Sequence, residues 1–145
     1  MKKTILCLFI VISFLVSCND NDSRNLSFNN LPNEGQSFIT EHFSDLKISQ
    51  SMRDDDGSYD VRFTNGTEID FDAQGRWTSV KAPDRQALLH TSFIPNAITS
   101  YITQNYPKNA INSIERIATG YEVELLGLTQ ELIFDKNGNF VRLNK

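Results

Sequence analysis

Two periodicities alternate along this chain. Leu31, Gly35, Phe38, Ile39 and Phe43 recur at helical spacing, as do Ile94, Ile98, Tyr101, Ile102 and Tyr106, and each set follows a proline suited to a first helical turn. Downstream of each set the period drops to two. Tyr59, Val61 and Phe63 alternate with Asp60 and Arg62, and Tyr121, Val123 and Leu125 alternate with Glu122 and Glu124. Such alternation reads as strands with one face buried and the other in water. Parity then types the turns. If Asn65-Gly66 closed a two-residue hairpin, Val61 would oppose Asp70, and each face would mix apolar with charged side chains. A three-residue loop, Thr64-Asn65-Gly66, with the glycine at positive φ, instead pairs Val61 with Ile69 and Tyr59 with Phe71. The same reasoning makes Ala73-Gln74-Gly75 a loop that pairs Phe71 with Trp77, and it pairs Phe134 with Phe140.

The stretches "FDAQGRW" (71–77) and "FDKNGNF" (134–140) lie 63 residues apart, and the match spreads from them in both directions. Pro32-Asn33 recurs as Pro95-Asn96, Ile39-Thr40 as Ile102-Thr103, Ile48 as Ile111, Arg53 as Arg116, Gly57 as Gly120 and Glu68 as Glu131. Tyr59 and Val61 match Tyr121 and Val123 at a separation of 62, which requires one-residue length changes in the flanking turns. A repeat of this length is a supersecondary unit, two copies of which build one continuous core. Each unit reads as a helix followed by up to four antiparallel strands, the first around residues 48–52 or 111–116.

The proline-led helix, "GYEVEL", a hairpin and then "FDKNGNF" resemble the PepSY-like proteins of bacterial envelopes, which occur as tandem copies with a fold similar to beta-lactamase inhibitor protein. The resemblance covers residue 31 to the C-terminus, and the second copy matches better than the first, where "SQSMRDDDGSYD" is more polar. It implies an α+β fold: two tandem helix-plus-antiparallel-strand repeats forming one sheet of about eight strands, with both helices on one face. It does not imply lactamase inhibition, because a fold carries no site with it.

The N-terminus changes the picture of location. In "MKKTILCLFIVISFLVSC" two lysines precede an apolar run, which marks an export signal. The run is too short for a comfortable membrane-spanning helix, which needs about 20 apolar residues. Leu15-Val16-Ser17-Cys18 resembles a bacterial lipobox, so cleavage is expected before Cys18, exposing its amine, with a diacylglyceryl group on its sulfur. The expected organisation is a signal peptide (1–17), a polar tether (18–30), a first repeat (31–82), a connector (83–93) and a second repeat (94–145). Cys7 would leave with the signal and Cys18 would be acylated, which removes cysteine chemistry. Losing Lys2 and Lys3 leaves 12 basic side chains against 18 acidic, a formal charge of −6. With no Lys/Arg cluster to neutralise phosphates, nucleic acid is excluded as an expected partner.

Signs of chemistry are thin. An EF-hand loop needs oxygen ligands at fixed positions up to a bidentate acid at the twelfth. Counted from Asp135, the twelfth position falls past Lys145, and counted from Asp72 it is Pro83, so both motifs are read as hairpin turns. The run Asp54-Asp55-Asp56-Gly57 is read as a solvated turn, with a cation site as its alternative. His42 and His90 are the only side chains able to act as bases near neutrality, and neither sits in a recognisable catalytic motif. No catalytic residue, metal or cofactor is expected. By the strand registers, Asp60, Arg62, Glu68 and Asp70 share the solvent face in the first copy, and Glu122, Glu124 and Glu131 in the second. Ile133 and Val141 fall on this face too, with Leu143 in the same alternation, unless a bulge in the last strand turns Val141 and Leu143 back to the core. Arg62, Asp70, Glu122, Glu124, Ile133 and Val141 are therefore the candidate partner-binding residues. The reading is a non-catalytic binding module, lipid-anchored in the envelope at the outer membrane, on its periplasmic side or at the cell surface. Its expected partner is an envelope protein, a peptide or a cell-wall component; the alternative is a metal-binding protein or a hydrolase.

Overall fold

The computed structural model describes residues 24–25 and 27–144. Cys18 and the export signal lie outside them. Nine antiparallel strands follow one another in chain order across a single sheet. β1 (Arg24–Asn25) is a two-residue pairing at one edge; the other eight divide four to each repeat. The first repeat contains α1 (Asn33–His42), β2 (Ile48–Arg53), β3 (Tyr59–Phe63), β4 (Glu68–Phe71) and β5 (Trp77–Lys81). The second contains α2 (Asn96–Asn105), β6 (Ile111–Ile117), β7 (Gly120–Leu125), β8 (Glu131–Asp135) and β9 (Phe140–Asn144). β5 pairs with β6, so the repeats share one sheet without a break.

The expected registers hold. Val61 opposes Ile69, Tyr59 opposes Phe71, Phe71 opposes Trp77 and Phe134 opposes Phe140. One side of the sheet buries Val61, Phe63, Ile69, Phe71, Val80, Ile114, Val123, Leu125, Leu132 and Phe134 in one cluster with Ile39, Ile98 and Ile102 of the two helices. Phe38 of α1 meets Phe71 edge-on, and Tyr101 of α2 meets Phe134 in the same way. Both helices therefore pack on this inner side. Trp77 is core: its ring lies near parallel to those of Phe38 and Tyr121, and the Arg116 guanidinium lies 4.1 Å above it.

Each helix begins one residue later than the prolines alone suggest, because Pro32 and Pro95 hold extended N-cap conformations. A larger difference concerns the segment 18–30, expected to be an unfolded tether. From Arg24 onward it is folded in part: β1 pairs with Met52 and Arg53 of β2, and a 3-10 turn (Phe28–Asn30) follows. Backbone pairing needs no apolar side chain, and Phe28 packs against the core, so polar composition concealed both.

Every second strand pair carries a bulge, and the bulges obey the repeat. Ser49 is the extra residue between β2 and β3, and Asn112, 63 residues on, between β6 and β7. Thr78 is extra between β4 and β5, and Val141, again 63 on, between β8 and β9. The second pair corrects the expected face of the last strand. Beyond the bulge Arg142 opposes Ile133 on the outer side, and Leu143 opposes Leu132 on the inner side. Val141 is left exposed at the kink instead of lying in an outer row.

The candidate contact face and the hairpin loops

Two loops with the sequence pattern that invites a calcium reading are closed by their own aspartates. Asp135 Oδ1 accepts from the backbone N–H groups of Asn137 and Asn139, and Oδ2 accepts from the Asn139 side chain at 3.0 Å. Asp72 does the same with Gln74 and Arg76, and Arg76 Nε donates to its second oxygen at 2.7 Å. The Asn139 side chain and then its backbone N–H hold the Asp135 carboxyl below the usual range. Each loop also supports its own helix. Gly75 sits so close to Pro32 and Gly35 that a Cβ would lie 2.7 Å from the proline ring, and Gly138 meets Ala97 and Ile98 in the same way. Glycine thus serves both the positive φ of the turn and the close approach of a helix N-terminus.

The turn at 54–57 is likewise self-satisfied. Asp56 Oδ1 accepts from Ser58 N at 2.9 Å and Ser58 Oγ at 2.6 Å, and these bonds hold its carboxyl low. Among the described residues, no three His, Cys, Asp or Glu side chains are grouped as a metal would require. The two histidines tie α1 to the connector. His42 Nδ1 lies 2.9 Å from Ser92 Oγ, and His90 Nε2 lies 2.9 Å from Asp45. Glu41 stands 3.9 Å from the other His42 nitrogen, but it is largely in solvent and nothing orients it. These contacts join the end of α1 and the residues after it to the connector.

The outer side of the sheet is a different surface. Among the described residues no element lies over it, and its side chains form two rows that cross the strands. One row runs Met52, Asp60, Asp70, Ser79, Glu115, Glu122, Ile133, Arg142. The other runs Gln50, Arg62, Glu68, Lys81, Ser113, Glu124 and then Glu131 and Asn144. Arg62, Asp70, Glu122, Glu124 and Ile133 are brought together here as expected; Val141 is not. Glu115, Lys81 and Arg142 join them. Lys81 and Glu115 lay beyond the strands whose registers were read from sequence, and Arg142 reaches this face only through the bulge. The face therefore carries seven carboxylates against three cations.

Like charges meet directly on it. Asp60 opposes Asp70, and Glu115 opposes Glu122. Burial, then the facing Asp60 with Glu68 and Glu115, pushes the Asp70 carboxyl up to about 6. Burial also raises Glu122, reinforced by Glu131 and Glu115 and opposed by Arg142. The cations give partial relief. Arg62 Nε is 3.3 Å from Glu68, whereas Lys81 turns to Asp84 at 3.6 Å, outside the rows. A depression of about 200 Å³ is lined by Ser79, Ser113, Lys81 and the four glutamates Glu115, Glu122, Glu124 and Glu131. Ile133 lies on this side as expected, but it is 4% exposed and not open to solvent. It lies outside the inner core cluster, flanked in register by Glu122 and Arg142, whose aliphatic stems can shield it.

A pair of helix-and-four-strand repeats with both helices on one side of an open sheet defines a class of small α+β domains with one free face. This chain belongs to the family described as "Putative beta-lactamase-inhibitor-like, PepSY-like", whose model matches residues 57–142. It is similar to a putative calcium-regulated periplasmic protein from Bacteroides thetaiotaomicron, at 35% identity over 86% of this chain and 98% of that one, with a TM-score of 0.76. A putative periplasmic protein from Bacteroides vulgatus is 35% identical over 87% of this chain and 99% of its own, with a TM-score of 0.74. A second from B. vulgatus, described as of unknown function, is 32% identical over 82% and 95%, with a TM-score of 0.70. No curated protein matches the chain. Relatives described as periplasmic support a place in the cell envelope.

Proposed function

We propose that the chain is a non-catalytic binding module, lipid-anchored through Cys18 in the envelope, that holds a cationic surface of a protein or peptide partner against the outer face of its sheet. The observation that carries this reading is the excess of carboxylates in the two rows, with two pairs of acids set directly opposite each other. Opposed like charges cost stability, and a face that keeps them is explained if a partner supplies the missing cations. The lipobox at residues 15–18 and the periplasmic relatives support the anchored location.

The experiment compares capture from envelope extracts by the wild-type chain and by a triple variant, Asp70→Asn, Glu122→Gln and Glu124→Gln. A partner held by the wild type should be lost by the variant, and its capture should weaken as salt rises. Equal capture by both chains, each folded at the assay temperature, would end the proposal. The description of the B. thetaiotaomicron relative as calcium-regulated favours a second reading, a calcium-binding protein. Native mass spectrometry with added calcium separates the two. One tightly held ion per chain would favour the second.

A further inference from the structure

The seam between the repeats shows what a last strand of this repeat is built to receive. β5 pairs with β6 through Ser79 opposite Glu115, Val80 opposite Ile114 and Lys81 opposite Ser113. β9 is the counterpart of β5, 63 residues on, and carries the same bulge at the same place. Arg142 stands where Ser79 does and Leu143 where Val80 does. Among the described residues no strand lies beyond β9, and the exposures record the difference: Val80 is 0% exposed and Leu143 39%. Val141 beside it is 56% exposed. The opposite edge of the sheet is covered by β1.

We propose that β9 takes up an antiparallel strand of another protein in the way β5 takes up β6, with an apolar side chain set against Leu143 and a carboxylate set against Arg142. The edge offers unpaired backbone groups, and pairing of this kind supplies affinity through the main chain and selectivity through alternate side chains. An apolar neighbour would bury Leu143 as Ile114 buries Val80. A carboxylate would sit where Glu115 sits, facing a guanidinium that otherwise reaches the Asn144 side chain at 3.0 Å and the Leu143 carbonyl at 3.4 Å. A bulge and an arginine on an edge are devices that discourage pairing elsewhere. Here the bulge does not forbid it, because β5 carries the same one and is paired.

A second copy of this chain fits poorly. β9 contains no acid, so a two-fold pairing with itself gives Arg142 no carboxylate in any register. β2, the counterpart of β6, would bring Met52 to Arg142 and Ser51 to Leu143, and β1 already pairs with it. The contact shares Arg142 with the outer face, but its other anchors, the β9 backbone and the inward Leu143, lie off that face, and the triple variant above leaves all three in place.

The test uses the full chain in detergent and two synthetic peptides, one copying residues 111–117 and one with lysine in place of its glutamate. Amide exchange and chemical shifts are read along β9. The first peptide should protect the amides of residues 141–144 and should bind up to about fivefold more tightly than the second, the upper end of what a cross-strand ion pair gives. Arg142→Glu should reverse the preference. Absence of any change at β9 with about 1 mM peptide, where even weak strand addition would register, overturns the proposal. So does equal binding of both peptides, or protection of β9 that grows with the concentration of the chain alone.

Discussion

At the scale of single residues, the outer face shows how a register sets acid strength. Asp70 is half-buried against Asp60, and both side chains must share the space between β3 and β4. The native state therefore holds a proton on Asp70 up to about pH 6, against 3.8 for the unconstrained group. A folded pKa above the unfolded one means that stability from this group is fully present below about pH 4 and is lost as pH rises through about 6. Asp70→Asn should remove that loss. Thermal melts should show the variant more stable than wild type at pH 7, by on the order of 1 kcal/mol after allowing for solvent screening, and equal to it near pH 3.5. A variant less stable at pH 7 would mean that the carboxylate is satisfied by a neighbour. The loop aspartates act in the opposite sense. Asp135, held low by Asn139, adds stability above its unfolded pKa that is lost as pH falls through the folded one.

At the scale of elements, the repeat uses one glycine for two purposes. Gly57 and Gly120 occupy matching turns, but the β6–β7 turn is one residue shorter, which brings Gly120 against β8. A Cβ on Gly120 would run into the Phe134 carbonyl and the Asp135 backbone, neither of which can swing aside. Gly57 has only the Ala73 methyl and the Arg53 guanidinium near it, at 3.5 and 3.6 Å, and is needed mainly for its positive φ of 88°. Gly120→Ala should therefore cost about 3 kcal/mol or more, and Gly57→Ala about 1 kcal/mol. Denaturant unfolding of both variants gives the comparison. Equal costs would show that β8 yields where the packing says it cannot.

At the scale of the whole molecule, the proposed lipid anchor bears on the folded N-terminal edge. Five residues separate Cys18 from Arg24, so if Cys18 is acylated the β1 edge sits within about 20 Å of the bilayer. The β9 edge lies across eight further strands, roughly 38 Å away at ordinary strand spacing. Cys18→Ser should abolish acylation and move the protein from the membrane fraction to the soluble envelope fraction, as read by metabolic lipid labelling and fractionation. Acylation that persists in the variant would overturn the lipobox reading.

The helices, the strands of both repeats and four cross-strand pairs were legible in the chain itself, because a period of 3.6 or 2 and the parity of a three-residue loop are local properties that burial of one face enforces. The repeat added its own check, since Val61 with Ile69 and Val123 with Leu132 had to agree. The candidates Arg62, Asp70, Glu122, Glu124 and Ile133 shared a face for the same reason. What lay beyond local reading depended on neighbours distant in sequence. The bulges at Thr78 and Val141 have no residue signature, and they set Arg142 outward and Leu143 inward. β1 is fixed by the vacant backbone of β2, to which its own polar side chains give no clue. The opposition of Glu115 to Glu122 and of Asp60 to Asp70, and the burial that turns Asp70 into a weaker acid, exist only once the five strands from β3 to β7 lie side by side. Periodicity decides which way a side chain points; only the assembled sheet decides what it meets there.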